Sequence, residues 1–108
     1  MTDTERQHIL EKCKKEKTNK IIITHGTDTM VKTAEFIAQH IKDKIIILTG
    51  AMIPIKFGSS DGLFNLGSAL SFAQVLDPGV YITMNGQYFY WDNVRKNKKL
   101  GIFERIAK

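Results

Sequence analysis

Short apolar runs alternate with amphipathic stretches along the chain. Ile21-Ile22-Ile23-Thr24 and Ile45-Ile46-Ile47-Leu48 are continuous apolar runs of strand length. Continuity, rather than period-two alternation, marks strands buried on both faces, as in a parallel sheet. Val80-Tyr81-Ile82-Thr83-Met84 is a third strand of this kind. Between the first two runs, Met30, Ala34, Ile37 and Ile41 recur at i, i+4, i+7 and i+11, which predicts a helix over 29–41. Leu63, Leu66, Leu70 and Ala73 mark the inner face of another helix. Ser60 or Asp61 caps it, and Asp77-Pro78-Gly79 stops it. Ahead of the first strand, Thr2 and Glu5 have capping-box spacing, and Ile9, Leu10 and Cys13 form a narrow stripe on a helix that is otherwise charged through Lys17. Asn85-Gly86 is a strong turn signal, after which Gln87 to Trp91 suits a returning strand. The remainder is basic and weakly patterned apart from Leu100, Ile102, Phe103 and Ile106.

Strands alternating with helices imply parallel βαβ units with right-handed crossovers. The expected architecture is therefore α/β, a three-layer Rossmann-like sandwich around a parallel sheet. In such sheets the working loops follow the carboxyl ends of the strands. Those loops are His25–Asp28, Thr49–Ser60 and Asn85 onward, and the small and polar residues concentrate there.

Composition narrows the class without changing the architecture. At 108 residues, 43% hydrophobic and 25% charged, the chain is one domain of ordinary globular make-up. Its single cysteine, Cys13, rules out an intramolecular disulfide and fits a reducing compartment, so a cytoplasmic location is expected. On its stripe Cys13 reads as a small core residue. No apolar run approaches the ~20 residues of a membrane span, and Met1 followed by Thr2, Asp3, Thr4 and Glu5 is not expected to open a leader peptide.

The net charge of +5 invites a nucleic-acid reading, but its location argues against one. Residues 1–20 carry six Lys/Arg against four Asp/Glu, and residues 93–108 carry six against one. Residues 21–92 carry four against six, so the central segment is net negative. The basic excess at the ends reads as solvated helix and tail side chains, and no nucleic-acid or membrane partner is expected.

Candidate chemistry sits in the first loop. His25-Gly26-Thr27-Asp28-Thr29 joins a strand to a helix. A glycine lets a ligand or a second backbone approach, a threonine hydroxyl can attack or donate, and an aspartate can hold an ammonium. The helix N-terminus beyond favours developing negative charge. The same Asp28 and Thr29 also suit a plain helix cap. His25 directly follows a buried strand, which points to a hydrogen-bonded structural imidazole. His8 and His40 lie on helix surfaces, and none of the three has metal-ligand spacing, so no metal is expected. Neither G-x-G-x-x-G nor G-x-x-x-x-G-K occurs, and no cofactor is expected. Tyr88, Phe89, Tyr90 and Trp91 read as packing rather than as a base-stacking platform.

Four ordered segments resemble the bacterial-type L-asparaginases. They are Ile22-Ile23-Thr24-His25-Gly26-Thr27-Asp28-Thr29-Met30, Leu48-Thr49-Gly50-Ala51-Met52-Ile53-Pro54, Ser60-Asp61-Gly62-Leu63-Phe64-Asn65-Leu66 and Gly79-Val80-Tyr81-Ile82-Thr83-Met84-Asn85-Gly86. The short single-domain members also end in a segment like Val94-Arg95-Lys96-Asn97. The resemblance implies an amidohydrolase that converts asparagine, and often glutamine, to the acid and ammonia through a threonine-bound acyl-enzyme. It implies that Thr27 is the second catalytic threonine and that Asp28 receives the substrate α-ammonium. It implies further that the Ala51 carbonyl accepts from the side-chain amide and that Gly26 keeps the loop tight.

Two departures qualify that resemblance. It places an activating lysine fifteen residues beyond Asp61, where this chain has Leu76, and Lys56 is the substitute considered. The family's T-G-G-T nucleophile segment does not occur in the 108 residues. Met1 then corresponds to an internal family position, and the domain 1–108 is expected to be incomplete at its N-terminal side. A missing strand should neighbour Ile21–Thr24, because both threonines must reach one carbonyl. The expectation is an oligomer that covers this edge, with weak or no activity in the isolated chain. A non-catalytic amino-acid-binding module, or a piece of a split or disrupted asparaginase, is the alternative.

Overall fold

A computed structural model describes residues 1–53 and 60–107. Three helices and six strands follow one another as α1 (Asp3–Lys15), β1 (Lys20–Thr24), α2 (Met30–Ala38), β2 (Ile45–Thr49), α3 (Gly62–Ala73), β3 (Gly79–Met84), β4 (Gln87–Tyr90), β5 (Arg95–Asn97) and β6 (Ile102–Glu104). The main sheet has the order β1-β2-β3-β4. β1, β2 and β3 are parallel, with Ile21 opposite Ile46 and Ile46 opposite Val80. β4 returns antiparallel to β3 across Asn85-Gly86, whose φ angles of 56° and 74° are those of a type I′ hairpin turn.

Side-chain alternation splits the core into two layers. Ile46, Leu48, Val80, Ile82 and Met84 face α1 and α2, where Leu10, Cys13, Met30, Ala34 and Ile37 meet them. Ile45, Ile47 and Tyr81 face α3, where Ala69 and Ala73 close on the sheet. Each fully buried Ile or Leu stabilises this sandwich by roughly 1.5–3 kcal/mol. The three-layer α/β expectation therefore stands, with the added antiparallel strand.

The chain follows its caps closely at α1. Thr2 Oγ1 accepts from Glu5 N–H at 3.2 Å, and Glu5 Oε1 accepts from Thr2 N–H at 2.9 Å. At the other end, buried Lys44 donates to the carbonyls of Cys13 and Glu16 at 2.7 and 2.5 Å. It thereby satisfies carbonyls that the helix leaves without partners and places a cation at the negative end of its dipole. α2 stops at Ala38, three residues short of the predicted end, though Ile41 still packs into the core.

Two burial expectations need correction. β1 is only half-buried, whereas every residue of β2 is buried. The reason is position: β1 is the edge strand. On α3, Ala73 faces inward as expected, but Leu63 and Leu70 are exposed and Asn65 and Ala69 take the inner positions. Both stripes have helical spacing. Hydrogen bonds of Asn65 and the small volume of Ala69 select the one that is buried. The basic, weakly patterned remainder forms the β5–β6 hairpin, anchored by Val94 and by Phe103, one of its few apolar positions, which are 1% and 4% exposed. The four-residue aromatic run packs as expected: Phe89 is in the core, and Tyr88 lies edge-on to Phe72 and Tyr81.

Candidate active site

Because β1, β2 and β3 run parallel, the loops after Thr24, Thr49 and Met84 gather at one edge of the sheet. Backbone and side-chain bonds lock them to each other. His25 N–H donates to Thr49 O at 2.8 Å, joining the first loop to the second. Gly50 makes the approach feasible, since a Cβ there would lie 2.2 Å from His25 O. The crowding is therefore at Gly50. Gly26 is exposed, and a Cβ there would meet nothing within 4 Å.

Asp61 and Asn65 hold the second loop. The Asp61 carboxylate accepts from the backbone N–H groups of Met52 and Ile53 at 3.1 and 3.0 Å, so its side chain does not cap α3 as expected. Ser60 Oγ instead accepts from Gly62 N–H at 3.1 Å. Asn65, fully buried, donates to Gly50 O at 2.8 Å and to Asp61 at 3.0 Å, and accepts from Asn85 N–H at 3.0 Å. One amide thus ties the loops after β2 and β3 together. Burial works to raise the Asp61 carboxyl, but the N–H donors of Ile53 and Met52 prevail and hold it below the usual carboxylate range.

His25 is a structural imidazole. Its Nδ1 lies 2.7 Å from Gly26 O, and its Nε2 lies 2.8 Å from Thr33 Oγ1. A carbonyl only accepts, so Nδ1 carries the proton.

Sequence reasoning did not find the side chain that completes the loop. Lys96, on β5, donates from Nζ to Thr27 Oγ1 at 2.8 Å and to Asp28 Oδ1 at 2.7 Å. Its side chain is 17% exposed, whereas that of Asp28 is 73% exposed. The hydrogen bond from Lys96, together with its charge, depresses the Asp28 carboxyl below its usual range. The hairpin aims Lys96 by alternation: Val94 and Lys96 share the inward side, while Arg95 turns out to Glu104 at 2.7 Å. The sequence marked Lys96 only as part of the family-like segment Val94-Arg95-Lys96-Asn97 and gave it no role, because its partner hydroxyl is 69 residues away.

Leu76 follows α3 and packs with Ile45, Ala73 and Tyr81, near the strand ends opposite to Thr24 and Thr49. Lys56 lies outside the described residues. Ala51 is half-buried in the second loop, next to the Gly50 crossing. The structure thus joins Thr27, Asp28 and Lys96 directly and sets Gly26 and Ala51 in the loops around them.

This arrangement has a defined chemistry. An ammonium held between a carboxylate and a hydroxyl oxygen stabilises negative charge as it develops on that oxygen. The free lone pairs of Asp28 and its exposure leave it able to receive a second cation.

Comparison with known proteins gives a consistent picture. Residues 1–103 match the family model described as "Asparaginase, N-terminal". The chain is 38% identical over 84 residues to the L-asparaginase of Thermococcus kodakarensis, covering 76% of this chain and 26% of that protein. It is 41% identical over 87 residues to the glutaminase-asparaginase of Acinetobacter glutaminasificans, covering 77% of this chain and again 26% of the relative. The chain therefore spans about a quarter of the length of the curated relatives it matches. Among solved structures, the thermostable L-asparaginase of Thermococcus kodakarensis superposes with a TM-score of 0.78 at 31% identity, over 97% of this chain and 33% of the other. The probable cytoplasmic L-asparaginase of Campylobacter jejuni gives 0.79 at 33% identity, over 89% and 33% respectively.

Proposed function

The chain belongs to the asparaginase N-terminal family, and on that footing we propose that it carries the substrate-activating part of an L-asparaginase-type amidohydrolase site. The substrate is asparagine, or a close amide such as glutamine. Its α-ammonium binds Asp28, and its side-chain carbonyl lies against the Thr27 hydroxyl. Lys96 lowers the cost of negative charge on Thr27 Oγ1 while that oxygen takes part in attack. The amide C–N bond breaks, ammonia leaves with the proton it acquires, and water supplies the oxygen of the product carboxylate. The observation that carries this reading is the single Nζ of Lys96 within 2.8 Å of both the hydroxyl and the carboxylate.

The T-G-G-T nucleophile segment does not occur in these 108 residues. We therefore assign the attacking group to an element that pairs with β1. Among the described residues the outer edge of β1 has no partner strand. Both sheet faces beside it are incompletely covered: a cavity of about 300 Å³ opens between Ile9, Cys13 and Ile21–Ile23, and one of about 420 Å³ between Ile22, Leu70 and Ala73. An open apolar edge invites strand addition. A second copy of the chain or a separate segment of the same protein would meet that need, so an oligomer or a longer assembly is the working form. The buried, unpaired Cys13 supports a cytoplasmic location. Among the described residues no helix is long and apolar enough to cross a membrane.

Ammonia release from L-asparagine tests the proposal. The expected turnover is low for the chain alone and is lost in Thr27→Ala and in Lys96→Met. Turnover indifferent to both substitutions contradicts it. A binding-only reading predicts aspartate binding with no release of ammonia.

A further inference from the structure

We propose that Arg6 is a positioning residue for the Thr27–Asp28 loop, acting through Thr33 and His25. The inference rests on the reading of that loop as an amino-acid site. Arg6 lies on α1, far from the sheet edge in sequence, yet it is 7% exposed. A buried guanidinium is costly where an apolar side chain would fill the same space, so its contacts need a reason. One is an ion pair with Asp3, 3.0 Å away and fully exposed, which adds little. The other is a hydrogen bond from Nε to Thr33 Oγ1 at 2.9 Å in the buried layer between α1 and α2.

Thr33 Oγ1 also lies 2.8 Å from His25 Nε2. A hydroxyl has one proton and two lone pairs. Gly26 O, 2.7 Å from Nδ1, only accepts, so Nδ1 carries the proton and Nε2 accepts from the Thr33 hydroxyl. Arg6 can only donate, so it takes a lone pair of Thr33 Oγ1 and holds the hydroxyl with its proton turned to Nε2. Gly26 O belongs to the peptide that leads into Thr27. The four groups form a directed relay, Arg6 to Thr33 to His25 to Gly26, that ends on the backbone of the candidate site. Without Arg6 the Thr33 hydroxyl is free to rotate, Nε2 loses its donor, and the ring no longer holds the Gly26 carbonyl in place.

Nitrogen-15 NMR of the imidazole ring tests this directly, with His8→Asn and His40→Asn leaving His25 as the single imidazole. The parent chain should show a protonated Nδ1 and an unprotonated Nε2. Arg6→Met should move the Nε2 resonance and the Thr27 and Asp28 amide signals, and weaken L-aspartate binding by about tenfold, the loss expected for one hydrogen bond. Arg6→Lys, which keeps an N–H donor, should restore most of these effects. If Arg6→Met does not fold, Thr33→Ser and Thr33→Val replace it: the hydroxyl of serine should keep the Nε2 hydrogen bond and the loop signals, and valine should lose both. A parent chain in the Nε2–H form overturns the relay. So does an Arg6→Met variant whose Nε2 and loop signals are unmoved. Failure of the parent chain to bind aspartate, with the tautomer results as expected, contradicts the amino-acid site and leaves the relay standing.

Discussion

Lys96 Nζ lies 2.8 Å from Thr27 Oγ1, although the two residues are 69 positions apart. β5 delivers the amine, and the β1–α2 loop delivers the hydroxyl. Neither element is informative by itself. Their meeting turns a common helix-start sequence into a charged, directed site.

Removing the amine should therefore affect the site far more than the fold. Lys96→Met keeps the length of the side chain, and Val94 and Phe103 still anchor the hairpin. The lost ion pair has a mostly exposed carboxylate, so stability should change by less than about 1 kcal/mol. Urea unfolding checks that part, and calorimetry with L-aspartate should show a clear loss of binding.

Gly50→Ala should damage the site through its scaffold. The new Cβ would sit 2.2 Å from His25 O, so the first and second loops must separate. A cost of about 1–3 kcal/mol is expected for such overpacking. Thermal unfolding measures it, and Gly26→Ala, which meets nothing within 4 Å, is the control for stability.

Asp61 gives the acid limb of stability a defined sign. Its carboxyl is held below the usual range in the folded chain. The unfolded chain therefore takes up the proton first as pH falls. The contribution of Asp61 is complete above the unfolded carboxylate value of about 3.9 and is lost as pH falls through the lower folded value. Asp61→Asn should cost about 1–3 kcal/mol near neutrality, where its charge-assisted bonds are lost. The gap between parent and variant should narrow on acidification, as unfolding curves at a series of pH values will show.

Thr83→Val should be tolerated or beneficial. Thr83 Oγ1 is buried and has no hydrogen-bond partner among the described residues. Replacing the hydroxyl by a methyl of similar size removes an unmet desolvation cost and should raise stability by up to about 1 kcal/mol.

The legible part of the sequence was the part written in local periodicity. The runs at Ile21, Ile45 and Val80 are strands, Met30 to Ile37 is a buried helical face, and Thr2 with Glu5 is a capping box. The Asn85-Gly86 turn follows from the backbone preferences of two residues. What failed was non-local. The inner face of α3 depends on Asn65 reaching Gly50 and Asn85, which competes with an equally good leucine stripe. β5 and β6 are three residues each, too short for a period to show. Lys96 lies in the family-like segment Val94-Arg95-Lys96-Asn97, but its role was not legible because its acceptors, Thr27 and Asp28, are brought to it by folding alone.

Calorimetric titration of L-aspartate into the chain, beside Asp28→Ala and Lys96→Met, tests the central claim most directly. The account predicts saturable one-site binding to the parent chain and its loss in both variants, with all three proteins folded. Binding unchanged by Asp28→Ala, or a folded parent chain that does not bind aspartate, would contradict it.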